Sequence, residues 1–364
     1  MNINLEDFAR SKILVIGDIM LDCYLWGKVE RISPEAPVPI VQTLKRTYML
    51  GGAGNVALNL ASLGCQSDII SICGNDRAGS QLKQMLVEHD ITNYLIADDA
   101  HLTISKTRIM ALEQQLLRID EEKIQTLSSE LATSLMSQIK GMITAYKVVI
   151  LSDYGKGLLQ TPQITESIIS LCRDNNIFVL VDPKGMDWSR YQHATCVTPN
   201  SAELNLVAHE NIETEADLIS VSQRIKTQYS LEWLLVTRGS KGMCLTGGET
   251  LEYGDSRNYR DSQEYRISQK YRDNQKYEDS QEYGDNQEKQ QSGSPPPLMI
   301  PTQARQVYDV SGAGDTVIAV LAAGISIGLS FQDAAILANK AAGVVVGKVG
   351  TQPITKDELE TVLR

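Results

Sequence analysis

Short runs rich in β-branched residues alternate along the chain with longer segments of helical period. That alternation predicts an α/β fold, a mostly parallel sheet covered by helices. Five of the runs end in the same way. Residues 13–16 lead into Gly17-Asp18, 148–151 into Ser152-Asp153, and 178–181 into Asp182-Pro183-Lys184. Residues 196–198 lead into Pro199-Asn200, and 233–236 into Thr237-Arg238-Gly239. In open α/β sheets, ligands bind beyond the carboxyl ends of the strands. Polar residues also end strands simply to start turns, so one case carries little; five together favour a binding crevice.

Two stretches interrupt the alternation. Residues 24–50 carry Trp26, Val29, Ile32, Val38, Ile40 and Val41, but also Pro34, Pro37 and Pro39. Proline lacks the N–H that a helix or sheet interior needs, which excludes a central strand or helix across it. Residues 103–120 are a second extended piece, with Ile104, Thr107 and Ile109 followed by Leu116, Leu117 and Ile119. Together, at 22–50 and 103–120, they predict a small β-sheet projecting from the main domain as a lid over substrate. The plainer reading is a long loop with a hairpin.

A third stretch differs in kind. Tyr recurs every six residues at 253, 259, 265, 271, 277 and 283, in units such as YRDSQE and YEDSQE. A hexad β-helix needs an apolar inward position in each turn, and here Tyr stands alone among Asp, Arg, Gln and Lys. Such a segment buries too little to offset its ordering entropy. Residues 253–294 are therefore expected to be a disordered hexapeptide-repeat insertion in a single domain spanning 1–364.

Charge narrows the partners. With 34 Lys and Arg against 45 Asp and Glu, the chain stands at −11, which excludes nucleic-acid binding through a basic surface. An acidic protein that binds an anion must use locally concentrated donors. The first ten residues hold acidic side chains and no apolar core, unlike a signal peptide. The most apolar long stretch, 317–329, is too short for a bilayer. A cytoplasmic protein without membrane contact is expected. Six cysteines form no CxxC pair and four histidines show no ligand spacing, so neither a disulfide framework nor a zinc site is expected.

The donors are concentrated at 309–316, Asp-Val-Ser-Gly-Ala-Gly-Asp-Thr, which runs straight into an apolar segment. Glycines among small residues let backbone N–H groups converge on a ligand, and the following helix aims its positive end at the same point. That suits a migrating phosphoryl group, whose charge spreads over its equatorial oxygens; each preorganised donor is worth about 3–4 kcal/mol. Asp315 lies in the first turn, able to take a proton from an attacking hydroxyl. The helix end lowers its pKa and burial raises it, and the sequence leaves the winner open. The plain alternative is that Asp315 complements the helix dipole and the glycines form a turn.

Two further motifs join it. Gly51-Gly52-Ala53-Gly54-Asn55 precedes a helix expected at 56–63, where glycines permit close approach and the Asn55 amide serves sugar hydroxyls or caps the helix. Asn200 and Glu203, three apart at a helix start, suit either a hydrated Mg²⁺ or a capping box. No GxxxxGK[ST] is present and no GxGxxG follows the first strand, which disfavours P-loop and Rossmann chemistry.

The early Gly-Gly with the late DxxGAGD resembles the ribokinase (PfkB-type) carbohydrate kinase family. VIGDIMLD (15–22), RISPEAPVP (31–39), LSDYGKG (151–157), DPKG (182–185) and PTQARQVYDVSGAGDT (301–316) resemble more narrowly its D-glycero-β-D-manno-heptose 7-phosphate kinases. The likeness covers nearly the whole chain apart from 253–294. It implies a ribokinase-like three-layer sandwich with a small β-sheet lid. It also implies Mg²⁺- and ATP-dependent phosphorylation of the anomeric 1-hydroxyl, giving the 1,7-bisphosphate for ADP-heptose synthesis.

Carried over by position, Asp315 is the catalytic base and Gly312, Ala313 and Gly314 form the anion hole. Asn200, Ser201, Ala202, Glu203, Thr237, Arg238, Gly239 and Asn339 line the nucleotide site, with Asn200 and Glu203 at the metal. Asp18, Gly52, Asn55 and Asp153 bind the sugar, and Arg118, Lys156 and Lys184 are candidates for the existing 7-phosphate. The family's lid implies a homodimer. Many relatives continue into a nucleotidylyltransferase domain, so a separate enzyme for that step is expected here.

Two rivals remain at this stage: a family kinase for another sugar or a nucleoside, and a non-catalytic ligand-binding regulator on the same fold. Because loop length costs closure entropy only logarithmically, deleting residues 253–294 is expected to leave thermal stability and turnover nearly unchanged. A large drop in melting temperature would show instead that the repeat packs on the domain.

Overall fold

In the computed structural model, the residues described are 3–111, 114–248, 296–303, 307–348 and 350–363. The Tyr hexads and the disorder expected for 253–294 lie outside them.

The five polar-ended runs become parallel neighbours of one sheet: β1 (Lys12–Gly17), β8 (Val148–Ser152), β9 (Phe178–Asp182), β10 (Cys196–Val197) and β11 (Trp233–Thr237). The sheet extends on one side through β4 (Gln66–Gly74) and β5 (Thr92–Asp98), both parallel. On the other side, β12 (Met243–Gly247) and β13 (Leu298–Ile300) are antiparallel. The order is β13-β12-β11-β10-β9-β8-β1-β4-β5, nine strands in all.

Both faces are buried, which is why these strands read as continuous apolar runs. Ile13 and Val15 of β1 enter one core, and Leu14 and Ile16 the other. The first core is covered by α1 (Ala53–Ser62), α2 (Arg77–Glu88), α7 (Ala313–Ser326), α8 (Phe331–Val345) and α9 (Lys356–Leu363). The second is covered by α3 (Ser129–Met142), α4 (Pro162–Asp174), α5 (Ser201–Ala208) and α6 (Glu215–Gln228). The result is the three-layer sandwich expected.

The small sheet is present too. It has the order β3-β2-β6-β7, from β2 (Ile19–Ile32), β3 (Pro39–Gly52), β6 (Ser105–Ala111) and β7 (Gln114–Glu121). Pro34 and Pro37 fall in the turn between β2 and β3, and Pro39 opens β3, where a missing N–H costs little. α1 starts three residues before the expected position 56, because Gly52 rather than Asn55 is its N-cap.

α7 is apolar all round and buried from Asp315 to Ser326, as a helix between other layers must be. Small residues let neighbours approach it: a Cβ on Gly324 would stand 3.0 Å from Ala334 Cβ. All six cysteines are buried free thiols. Among the described residues no helix is long and apolar enough to cross a membrane.

A buried amide ties three parts of this core together. Asn59 of α1 donates to the Asn55 carbonyl (2.9 Å) and accepts from Thr316 Oγ1 (3.0 Å) and from the Ile354 amide (3.1 Å). Asn59→Leu keeps the volume but orphans the Ile354 N–H in a dry core. Despite the gain in apolarity, it is expected to cost roughly 2–4 kcal/mol in denaturant-induced unfolding. An unchanged midpoint would deny the network that role.

Candidate active site

The chemistry gathers where α7 starts. Gly312, its N-cap, has φ +77°, a conformation costly for a side chain. A Cβ there would also lie 2.7 Å from the Asn55 side-chain nitrogen. The first amides of a helix have no partner within it. That of Ala313 is spent on the Val310 carbonyl at 3.2 Å. Among the described residues no carbonyl takes those of Gly312 and Gly314, and both glycines line a cavity of about 190 Å³. The amides of Gly312 and Gly314 are thus open to an anion, and that of Ala313 is not.

Asp315 lines the same cavity, although its side chain is almost wholly withdrawn from bulk water. Its two oxygens have one donor each: Tyr154 Oη donates to Oδ1 (2.6 Å) and Asn55 Nδ2 to Oδ2 (2.7 Å). Burial pushes its pKa up to about 6, against the pull of those two bonds and with a further push from the Asp22 carboxylate. Burial therefore outweighs the two hydrogen bonds. A carboxylate with a pKa near 6 is ionised at neutral pH and suited to accept a proton.

The loop after β8 is built to deliver Tyr154. Asp18, between β1 and β2, accepts from the amides of Tyr154 (3.1 Å), Lys156 (3.0 Å) and Leu158 (3.3 Å). Its carboxylate therefore organises this loop. Burial raises its pKa to about 6 as well, offset by those amides. Asp153 Oδ1 accepts from the Gly155 amide (2.7 Å), while its Oδ2 accepts from Tyr191 Oη (2.6 Å) and Arg190 (3.2 Å). Arg190 also donates to the Lys184 carbonyl, so Asp153 joins two cavity loops. Gly52 sits at φ +58° with its would-be Cβ 2.4 Å from the Asp18 carbonyl; its part is the close turn into α1.

On the expected nucleotide side, Asn200, Glu203 and Thr237 line the cavity. Both halves of the capping box exist: Asn200 Oδ1 accepts from the Glu203 amide (2.9 Å), and Glu203 Oε2 accepts from the Asn200 amide (3.0 Å). Ser201 donates to the Thr237 carbonyl (3.3 Å), and Ala202 is exposed on the first turn of α5. Arg238 pairs with Glu215 (3.0 Å) beside a second cavity shared with Ser201, and Gly239 opens the turn after it. Asn339 of α8 donates to the Pro301 carbonyl (2.8 Å), away from the cavity lining.

The three candidate cations are paired with carboxylates. Lys184 lines the cavity and pairs with Glu203 (3.1 Å). Lys156 pairs with Glu122 (2.7 Å), which Lys106 also reaches (3.2 Å). Arg118 pairs with Asp120 (2.8 Å) on the half-exposed end of β7, and the structure does not bring it to the cavity.

Sequence reasoning gave Asp182 only as one of the polar strand ends, without a role, and missed Tyr154 and the buried pair of Asp22 with Arg108 (2.5 Å). Asp182 lines the cavity, and burial plus the charges of Asp315 and Glu203 push its pKa well up, against the pull of Lys184. The signal for Tyr154 and Asp182 was present, since both stand at polar strand ends. Nothing in the local pattern at Asp22 announces Arg108, which lies 86 positions later.

Comparison with known proteins agrees with this arrangement. Residues 10–255 and 297–358 match the pfkB family carbohydrate kinase model, a match that passes over most of the Tyr hexads. The bifunctional protein HldE of Haemophilus ducreyi is 40% identical over 98% of this chain, and that of Trichlorobacter lovleyi 39% over 96%. The chain spans 64% and 62% of their lengths. Among solved structures, phosphofructokinase-2 from Escherichia coli in complex with potassium superposes with a TM-score of 0.71 at 15% identity, covering 97% of each chain. Arabidopsis thaliana ribokinase complexed with ribose and ATP gives 0.66 at 17%, covering 97% of this chain and 99% of its own. With Asp315 and the glycine-led start of α7 at the centre of such a fold, the chain belongs to the pfkB family of carbohydrate kinases.

Proposed function

We propose that this sugar kinase transfers the γ-phosphoryl group of ATP to the anomeric 1-hydroxyl of D-glycero-β-D-manno-heptose 7-phosphate, in ADP-heptose synthesis. One observation carries the reading: a buried carboxylate, Asp315, shares a cavity with the unpartnered amides of Gly312 and Gly314. The carboxylate takes the hydroxyl proton while the amides meet the charge on the transferring group. The choice of acceptor is supported by the string RISPEAPVP at 31–39 and by the likeness of nearly all of this chain to part of the proteins named HldE.

Oxygen donors beside the phosphate path fit a magnesium ion, which keeps much of its water and needs only one or two carboxylates. Glu203 and Asn200 would hold it chiefly through that water, because their side-chain oxygens already serve the capping box and Lys184. Bound there, the ion would neutralise charge between the phosphates. Lys184 and Lys156 are the cations offered to the 7-phosphate; each must loosen its carboxylate partner to meet it. We further propose a homodimer formed through the small sheet, whose Ile32, Leu44, Leu116 and Leu117 are exposed.

With Mg-ATP, turnover of heptose 7-phosphate is expected to exceed that of ribose or fructose at least 100-fold; preference for an unphosphorylated sugar would sink the acceptor assignment. Asp315→Asn is expected to lower kcat by 10²–10⁴-fold while ATP affinity stays within about threefold; a variant as active as the parent would remove the base.

The same substitution tests the charge by stability. A carboxyl raised from 3.8 to about 6 contributes stability that is complete below pH 3.8 and lost as pH rises through 6. The parent should therefore lose about 3 kcal/mol relative to Asp315→Asn between pH 4 and 7. The Asp18 contribution is common to both proteins and cancels, whereas Asp182, whose carboxyl the Asp315 charge also raises, adds to the parent's loss in the same direction. A pH-independent difference would contradict the burial argument.

A further inference from the structure

We infer that Tyr154 is a positioning residue, acting on phosphoryl transfer through the hydrogen bond its hydroxyl gives to Asp315. The inference rests on the proposed base role of Asp315 and adds the group that keeps that base usable.

The geometry is specific. Tyr154 Oη stands 2.6 Å from Asp315 Oδ1 and the Tyr154 side of the loop lines the cavity. The backbone behind it is fixed by Asp18, which takes the Tyr154, Lys156 and Leu158 amides, and by Asp153, which takes that of Gly155. The phenol therefore reaches the carboxylate from a preorganised loop. A carboxylate has about four lone-pair sites, of which Tyr154 and Asn55 use two, so an acceptor hydroxyl can still bond to either oxygen.

The donor is also permanent. Burial and the charges of Asp315, Asp182 and Asp22 hold the Tyr154 phenol well above its usual range, so it stays protonated wherever the enzyme works. The charged groups around Asp315 otherwise oppose its ionisation. Asp22 faces it from β2, with Arg108 of β6 as counter-ion. Asp182 faces it from the end of β9, with Lys184 and Glu203 beyond. Asp309, on the loop leading to α7, is occupied by the Ser311 and Gly350 amides. No lysine or arginine pairs with Asp315 among the described residues, so the side chains that stabilise its charge are two neutral donors, at the positive end of α7.

The test uses the full-length chain with Tyr154→Phe, which keeps the ring and removes the donor. With aspartate ¹³C-labelled at Cγ and the Asp315 signal assigned through Asp315→Asn, NMR titration of the ligand-free protein is expected to place the Asp315 midpoint at least one pH unit higher in the variant. In kinetics with Mg-ATP and heptose 7-phosphate, the acid limb of the kcat profile should move up by the same amount. The variant should be about fivefold slower near pH 6 and about tenfold slower below pH 5, recover toward pH 8.5 and keep its KM for ATP. An unmoved Asp315 midpoint overturns the inference, as does a kcat loss that is uniform across pH.

Should Tyr154→Phe not fold, 3-fluorotyrosine incorporation makes the phenol a stronger donor and should lower the Asp315 midpoint; no movement then overturns the inference. If the parent turns over no heptose 7-phosphate, the acceptor proposal fails while the NMR titration still decides the part played by Tyr154.

Discussion

A carboxylate taken out of water either finds hydrogen-bond donors or takes up a proton, and a base that is already protonated removes nothing. The structure around α7 answers that constraint at Asp315. In the proposed role as base it sits in a cavity shielded from water, yet has to remain an anion among Asp22 and Asp182. Two neutral donors, the Asn55 amide and the Tyr154 phenol, reconcile the demands. A cationic partner would hold the charge more firmly, but would also drive the pKa down and weaken the base.

The rest of the site can be traced outward from those donors. Asn55 is delivered by the first turn of α1 and braced by Asn59, whose own oxygen reaches α7 and the chain at Ile354. Tyr154 is delivered by a loop whose amides converge on Asp18. Gly312 is glycine because its φ is positive and because Asn55 occupies the space a side chain would need. The strand ends and helix starts thus bring together groups from positions 18, 55, 154 and 315, with almost no polar side chain of this set left to solvent.

The fold was legible because its signals are local. Apolar strand runs, polar strand ends, prolines and glycines each announce themselves within a few residues, so both sheets and the central helix could be placed. The site was legible only in part. The motif at 309–316 marks where the chemistry lies, but not which amides stay free, since the Ala313–Val310 bond depends on how the turn closes. Asp18, Asn55 and Asp153 drew attention as polar groups at strand and helix ends, where sugar contacts were expected. In the structure their polar atoms serve loops and the Asp315 carboxylate, and such long-range bonds leave no mark in a local pattern. Asn200 and Glu203 show the converse: the spacing fitted two readings, and the capping box is visible because it needs only four consecutive residues.

The roots of the small sheet carry a practical consequence for anyone who would exchange it. Asp18 is the sole residue between β1 and β2, and Gly52 passes directly into α1. At both joints the backbone is packed against itself, Gly52 against the Asp18 carbonyl. A transplant cut at those joints would carry away the anchor of the 154–158 loop with the sheet. A cut above Asp22 and below Met49, where paired strands are still in register, would instead leave that anchor with the core, and β6, which pairs with β2 from Leu21 onward, and β7, which pairs with β6, would need matching cuts.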